Sequence, residues 1–272
     1  MLNNEIQLLE KKLITSKNRF KLSEKDEKEI KKNFYKSNIL IIGAAGSIGF
    51  EFTRSLKKYK FSKLLLIDKD ENRLTDLNRE LVIVFDNNKI LKTRYICCDI
   101  NNINFNSFLI KNKITHILNF SAIKHVRSEQ EILSSSYLFT TNSMKFLNLK
   151  KNKNKFLKQV FSISTDKVVE PSSFLGISKG IMEDRIFKFK KNNKNIYVSS
   201  VRFANVSFSN GSILKYALER IKEKKIFGVP QKISRFFITH EEAISLCKKS
   251  ILKKSDNLIV VPNLNYIDGS LN

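Results

Sequence analysis

Asn38-Ile39-Leu40-Ile41-Ile42-Gly43-Ala44-Ala45-Gly46-Ser47-Ile48-Gly49 is the stretch on which the fold turns. The apolar run 39–42 has no alternation, which predicts a strand buried on both faces of a parallel sheet. A G-x-x-G-x-x-G loop follows at once, and a helical pattern follows the loop. Glycines there let the backbone approach a pyrophosphate, and the N–H groups and dipole at a helix start attract its charge. Gly43, Ala45, Gly46, Ser47, Ile48 and Gly49 are therefore expected to hold a dinucleotide.

Working outward, a second apolar run, Leu64-Leu65-Leu66-Ile67, ends in Asp68, about 20 residues beyond the last glycine, where a carboxylate can accept both adenosine ribose hydroxyls. A 2′-phosphate would be repelled there, which favours NAD. Lys69 and Arg73 could pair with such a phosphate and leave NADP open. Strand and helix patterns then alternate: a helix over 74–85, strands over 93–98 and 114–120, a helix over 134–149, a strand over 160–163, a helix over 174–189 and a strand over 197–203. This alternation predicts an α/β Rossmann fold, a doubly wound parallel sheet. Asp99, at the end of the third strand, suits either an adenine contact, with Ile100 beside it, or a helix cap.

Three units are expected: a helical arm over 1–36, in which Ser23 and Asp26 read as a helix start, an NAD(P)-binding domain over 37–206, and a partial substrate-binding region over 207–272. Helices over 212–223 and 241–252 would form a small, incomplete lid in the last of these.

The 272 residues suffice for one α/β core with an appendage. The formal charge of +24 invites a nucleic-acid reading. Lysine far outnumbers arginine, however, and the lysines are scattered along the chain among asparagines, as an AT-rich genome would encode. With no nucleic-acid-binding motif, a solvated basic surface is expected, one that would still attract an anionic ligand or membrane surface. Cys97, Cys98 and Cys247 lack zinc-ligand spacing, so no metal is expected. No apolar run is long enough to span a bilayer, and a cytoplasmic homo-oligomer is expected.

Four further segments carry a specific resemblance: Asn119-Phe120-Ser121-Ala122-Ile123-Lys124-His125-Val126-Arg127-Ser128-Glu129, Ser162-Ile163-Ser164-Thr165-Asp166-Lys167, Gly176-Ile177-Ser178-Lys179 and Arg202-Phe203-Ala204-Asn205-Val206. With the glycine loop they resemble the CapD-like polysaccharide biosynthesis family, the UDP-N-acetylglucosamine 4,6-dehydratases within the extended short-chain dehydrogenases, over about Asn38 to Glu242. The resemblance implies a UDP-sugar substrate and a 4-keto-6-deoxy product. It implies that Thr165 bonds the C4 hydroxyl, Asp166 protonates the departing C6 hydroxyl and Lys167 is the base at C5. Lys179 would hold the nicotinamide ribose, Ser121 and Ala122 would border the cofactor, and Lys124 would lie near both cofactor and sugar. Asn142 would tie the central strands together, His125 would be structural, and Asn205, Ser212 and Arg235 would contact the nucleotide sugar. Leu175 stands where most relatives place a catalytic Tyr and some a Met, so the proton-handling role would pass to Thr165 and Lys179. An epimerase, or a homologue that binds NAD and UDP-sugar without turnover, are the alternatives.

Overall fold

The computed structural model describes residues 4–124, 129–148, 150, 152–228, 235–252, 258–263 and 270–271. Helices α1 (Asn4–Leu13) and α2 (Glu24–Phe34) come first. α2 opens on a capping box in which Ser23 and Asp26 satisfy each other's backbone N–H. Then β1 (Asn38–Ile42), α3 (Ser47–Ser55), β2 (Lys63–Asp68), α4 (Glu71–Val84), α5 (Asn87–Leu91), β3 (Thr93–Cys97), α6 (Phe105–Lys111) and β4 (His116–Asn119) follow. The second half holds α7 (Ile132–Asn142), β5 (Gln159–Ile163), α8 (Phe174–Asn192), β6 (Tyr197–Val201), β7 (Asn205–Val206), α9 (Ile213–Lys222), β8 (Arg235–Ile238), α10 (His240–Leu252), β9 (Leu258–Val260) and β10 (Ser270–Leu271).

Seven strands form one parallel sheet in the order β3-β2-β1-β4-β5-β6-β9, doubly wound outward from β1 and β4. Its centre is apolar on both faces: Ile39 and Ile41 pack into one core cluster with Phe34, Phe52 and Leu246, and Leu40 and Ile42 into the other with Leu109, Met182 and Ile186. Parallel pairing puts every strand's carboxyl end on one edge, where ligands of this fold bind. The switch between β1 and β4 places Gly43 beside Ser121.

Two expectations change. The helix expected to reach Leu149 ends at Asn142, and the chain turns through Met144 at φ 54°. The helix expected in the lid, α10, belongs to the main layer: it packs on α2, α3 and β6, burying Ala243, Leu246, Cys247 and Ile251, and β9 joins the main sheet beside β6. The partners of its charges lie far away in the chain. Glu242, fully buried, is held by Arg19 through Nε–Oε1 2.7 Å and Nη2–Oε2 2.8 Å. A buried carboxylate needs such pairing. Beside it, Glu10 of α1 accepts from the His240 N–H at 3.1 Å and meets His240 Nδ1 at 2.9 Å. Ser207 also donates to Glu10.

Candidate active site

The glycine loop leaves β1 by bonding back to β2, with Gly43 N and Ala44 N donating to Ile67 O. Gly43 has φ +73°, and a Cβ on it would lie 2.6 Å from Ser121 N. One on Gly49 would lie 2.1 Å from Gly43 O. Neither position admits a side chain without moving backbone. Gly46 caps α3 with no side-chain hydrogen bond, so the helix start faces the groove bare.

That groove is lined at one end by Asp68, Arg73, Asp99 and Ile100 and along its floor by Gly43, Phe120 and Ser121. Asp68 Oδ2 accepts Ala45 N at 2.9 Å and Oδ1 accepts Asp70 N at 3.1 Å, so the carboxylate is fixed between the loop and β2. The two cations flagged beside it are engaged: Lys69 lies 4.8 Å over the Tyr137 ring, and Arg73 pairs with Asp70 at 3.6 Å. Asp99 takes the capping option, accepting Asn101 N at 2.9 Å on one oxygen, while Tyr137 donates to the other at 2.8 Å. Burial alone would raise its pKa, but these hydrogen bonds and Lys69 outweigh burial and lower it. Ile100 is buried beneath it. An uncapped helix start, a fixed carboxylate and apolar walls fit a dinucleotide laid along the groove.

At the middle of the edge Asn119 organises the turn after β4: its Oδ1 accepts Ser121 N and Oγ, and its Nδ2 donates to Ser162 Oγ. Lys179 reaches this turn from α8. It is 3% exposed, and its Nζ donates to Ser121 O at 3.2 Å. Burial lowers its pKa to about 8 against the opposing pull of Glu183, which is itself clamped by Arg202 at 2.9 and 2.6 Å. Asn142 does not tie strands together. Its Oδ1 accepts Ile123 N, and its Nδ2 donates to Ile123 O and Ser178 Oγ, fastening the turn after β4 to α8.

Asp166, Lys167 and Val168 form a 3-10 turn after β5, and Thr165 caps it. Thr165 Oγ1 donates to Asp166 Oδ1 at 2.9 Å, and Lys167 Nζ donates to the same oxygen at 3.2 Å. The Asp166 and Lys167 side chains stay 50% and 37% exposed, as a turn that greets a substrate requires and as a plain surface ion pair would also show. What sets this turn apart is Gly176, one residue past Leu175 on α8. A Cβ there would lie 2.4 Å from Lys167 O, so α8 presses directly on the turn. Leu175 is half-buried and its N–H donates to Glu129 Oε1 at 3.1 Å.

Lys124 leaves the groove for the second half of the chain, donating to Ser209 Oγ at 3.2 Å. Its chain is exposed as a whole, yet its ammonium end is crowded by protein. That desolvation, with the charges of Arg73 and Lys215, lowers its pKa to about 8. Asn205 and Arg235 share the small sheet β10-β8-β7, with Asn205 donating to Phe236 O at 3.3 Å and Arg235 exposed. Ser212 caps α9 instead, accepting Lys215 N. His125 lies outside the described residues. Sequence reading passed over Tyr137 and Asn210, whose N–H donates to Ser47 Oγ at 2.9 Å, and quoted Glu129 and Gly176 in motifs without giving either a role. Only Gly176 carried a local signal, as a glycine inside a helix.

The comparisons agree with this geometry. Residues 39–267 match the model of the family described as polysaccharide biosynthesis protein, and the chain belongs to that family. The capsular polysaccharide biosynthesis protein CapD of Staphylococcus aureus is 27% identical over 80% of this chain and 36% of its own length. An inverting UDP-N-acetylglucosamine 4,6-dehydratase of Campylobacter jejuni is 25% identical over 85% of this chain and 68% of its own. In fold, the chain is similar to a UDP-N-acetylglucosamine 4-epimerase from Methanobrevibacter ruminantium, solved with UDP-N-acetylmuramic acid, at TM-score 0.67 and 17% identity over 85% of this chain and 77% of that one. The chain thus spans little more than a third of CapD. The family holds nucleotide-sugar dehydratases and epimerases, and no helix among the described residues is long and apolar enough to cross a membrane.

Proposed function

We propose that the chain is a nucleotide-sugar 4,6-dehydratase that converts a UDP-N-acetylhexosamine to its 4-keto-6-deoxy derivative for surface polysaccharide synthesis. The observation that carries this reading is the Thr165-Asp166-Lys167 turn, held against α8 by Gly176 at the same sheet edge as Lys179 and the glycine groove.

Gly43, Ala45, Gly46, Ser47, Ile48 and Gly49 would hold the cofactor pyrophosphate, Asp68 its adenosine ribose, Asp99 and Ile100 the border of the adenine, and Lys179 the nicotinamide ribose, with Ser121 and Ala122 alongside. A bound NAD would supply a hydride acceptor for C4 and a hydride donor for C6. Lys69 and Arg73, engaged elsewhere, support NAD over NADP. Thr165 orients the C4 hydroxyl, whose proton passes to the neutral form of Lys179, accessible because burial lowers that pKa to about 8. With C4 a ketone, the C5 proton is acidic. Lys167 removes it while Asp166 gives a proton to the C6 hydroxyl, which leaves as water, and Lys167 then returns the proton to C5 as hydride arrives at C6. This division needs Asp166 protonated and Lys167 neutral at that step, so their ion pair must exchange its proton or part once the sugar is seated. Lys124, Asn205, Ser212 and Arg235 would bind the nucleotide sugar, Arg235 being suited to the diphosphate.

Incubation with UDP-N-acetylglucosamine tests this. The expected product is a 4-keto-6-deoxy sugar nucleotide, lighter by one water, with no net NADH, and Lys167→Ala abolishes it. Unchanged substrate from the wild-type chain refutes the proposal. An epimerase is the second reading, favoured by the epimerase relatives and by Leu175; it gives a product of unchanged mass.

A further inference from the structure

The lysines that look scattered in the sequence converge in the fold. β1 to β6 are parallel, so their amino ends share one edge, opposite the groove, and each is preceded by lysine: Lys36, Lys60, Lys92, Lys113, Lys158 and Lys194. The edge is continuous. Leu64 N bonds Lys92 O at 2.9 Å, Ser62 N bonds Ser37 O at 2.8 Å, Thr115 N bonds Asn38 O at 2.9 Å, and Lys158 N and Tyr197 N extend the row at 2.8 Å each. Six strands span about 25 Å.

Segments 35–38, 57–63, 110–116, 150–158 and 190–197 are rich in lysine and contain no Asp or Glu. In the remaining connection, 85–92, Asp86 is the sole carboxylate and is paired with Lys89. Asp68 ends β2, and Asp70, Asp99 and Asp166 follow the carboxyl ends of β2, β3 and β5 among Lys69, Arg73, Lys124 and Lys167, so that edge carries both signs while these amino-edge segments carry almost only cations. Helix carboxyl ends account for some lysines, such as Lys111 and Lys190. They do not account for those in the loops beyond. Aromatic rings are interleaved with the cations: Lys36 Nζ lies 5.4 Å over the Tyr35 ring, which is 57% exposed, and Lys113 and Lys155 lie 5.9 and 5.6 Å over Phe156.

We propose that this amino edge of the sheet is a docking face for an anionic lipid surface, leaving the groove edge open to substrate. A broad band of point-charge lysines with aromatics suits lipid headgroups. A reader of nucleic acid would be expected to use arginine, and none lies in these connecting segments.

The test is co-sedimentation of the full chain with vesicles of phosphatidylcholine, with and without phosphatidylglycerol. Binding is expected only to the anionic vesicles and falls steeply with salt. Replacing Lys60, Lys155, Lys158 and Lys194 by Gln lowers partition by about fivefold per lysine. The same change at Lys12, Lys17, Lys25 and Lys28, on and around α1 and α2, lowers it by less than about twofold in total. Equal losses in the two variants, equal binding to neutral vesicles, no vesicle binding at all, or capture by homopolymeric RNA in preference to vesicles of equal charge would each overturn the proposal. If the first variant fails to fold, hydrogen exchange of the wild-type chain decides: vesicles should protect 57–63 and 150–158, and protection confined to the groove edge contradicts the docking face.

Discussion

Lys179 is the residue on which physical chemistry and proposed chemistry meet most closely. Its ammonium is buried and donates to Ser121 O, and its pKa falls to about 8 from 10.5. Between those two values the unfolded chain binds the extra proton, so stability rises with pH across that window. Lys179→Met should flatten part of that rise and leave the protein at least as stable at neutral pH while removing turnover. Urea titrations at several pH values, with an activity assay, check both halves. A variant that is destabilised at neutral pH, or one that keeps turnover, contradicts this account. Asp68 offers a second check: with both oxygens held by Ala45 and Asp70 N–H groups, Asp68→Ala should weaken NAD binding about tenfold or more, measured by calorimetry.

Between elements, close approach matters more than propensity. A methyl group at Gly176 would meet the Lys167 carbonyl, so Gly176→Ala must push α8 away from the turn or twist the turn. A displacement of about 1 Å can cost a hundredfold in rate, and a comparable loss in kcat with modest loss of stability is expected. The N-terminal helices are fastened as firmly. Arg19→Ala leaves Glu242 charged and buried and should cost about 3–5 kcal/mol in denaturant unfolding. A loss below about 1 kcal/mol would show that the clasp between the segment after α1 and α10 is ornamental.

These cases also mark what was legible in the sequence. The glycine loop, Asp68 and the Ser23 cap were readable because each is a local pattern whose geometry a few neighbouring residues determine. Thr165, Asp166 and Lys167 were nominated by resemblance, and their neighbours in space were not visible. Lys124 with Ser209, Arg19 with Glu242 and Ser47 with Asn210 join segments that only tertiary packing brings together. α10 belongs with them: Arg19, which holds Glu242, and Glu10, which meets His240, both lie far away in the chain.

For the whole molecule, the parallel sheet sorts chemistry by direction. Its carboxyl edge gathers the glycine loop, the carboxylates and the Thr165-Asp166-Lys167 turn, and its amino edge gathers lysines. One measurement tests the central claim most directly: incubation with UDP-N-acetylglucosamine carrying deuterium at C4, followed by mass spectrometry and NMR of the product. A dehydratase that lends and recovers the hydride within one turnover yields a product lighter by one water with the label at C6. Label still at C4 in a sugar of unchanged mass, or label lost to solvent, would contradict the account.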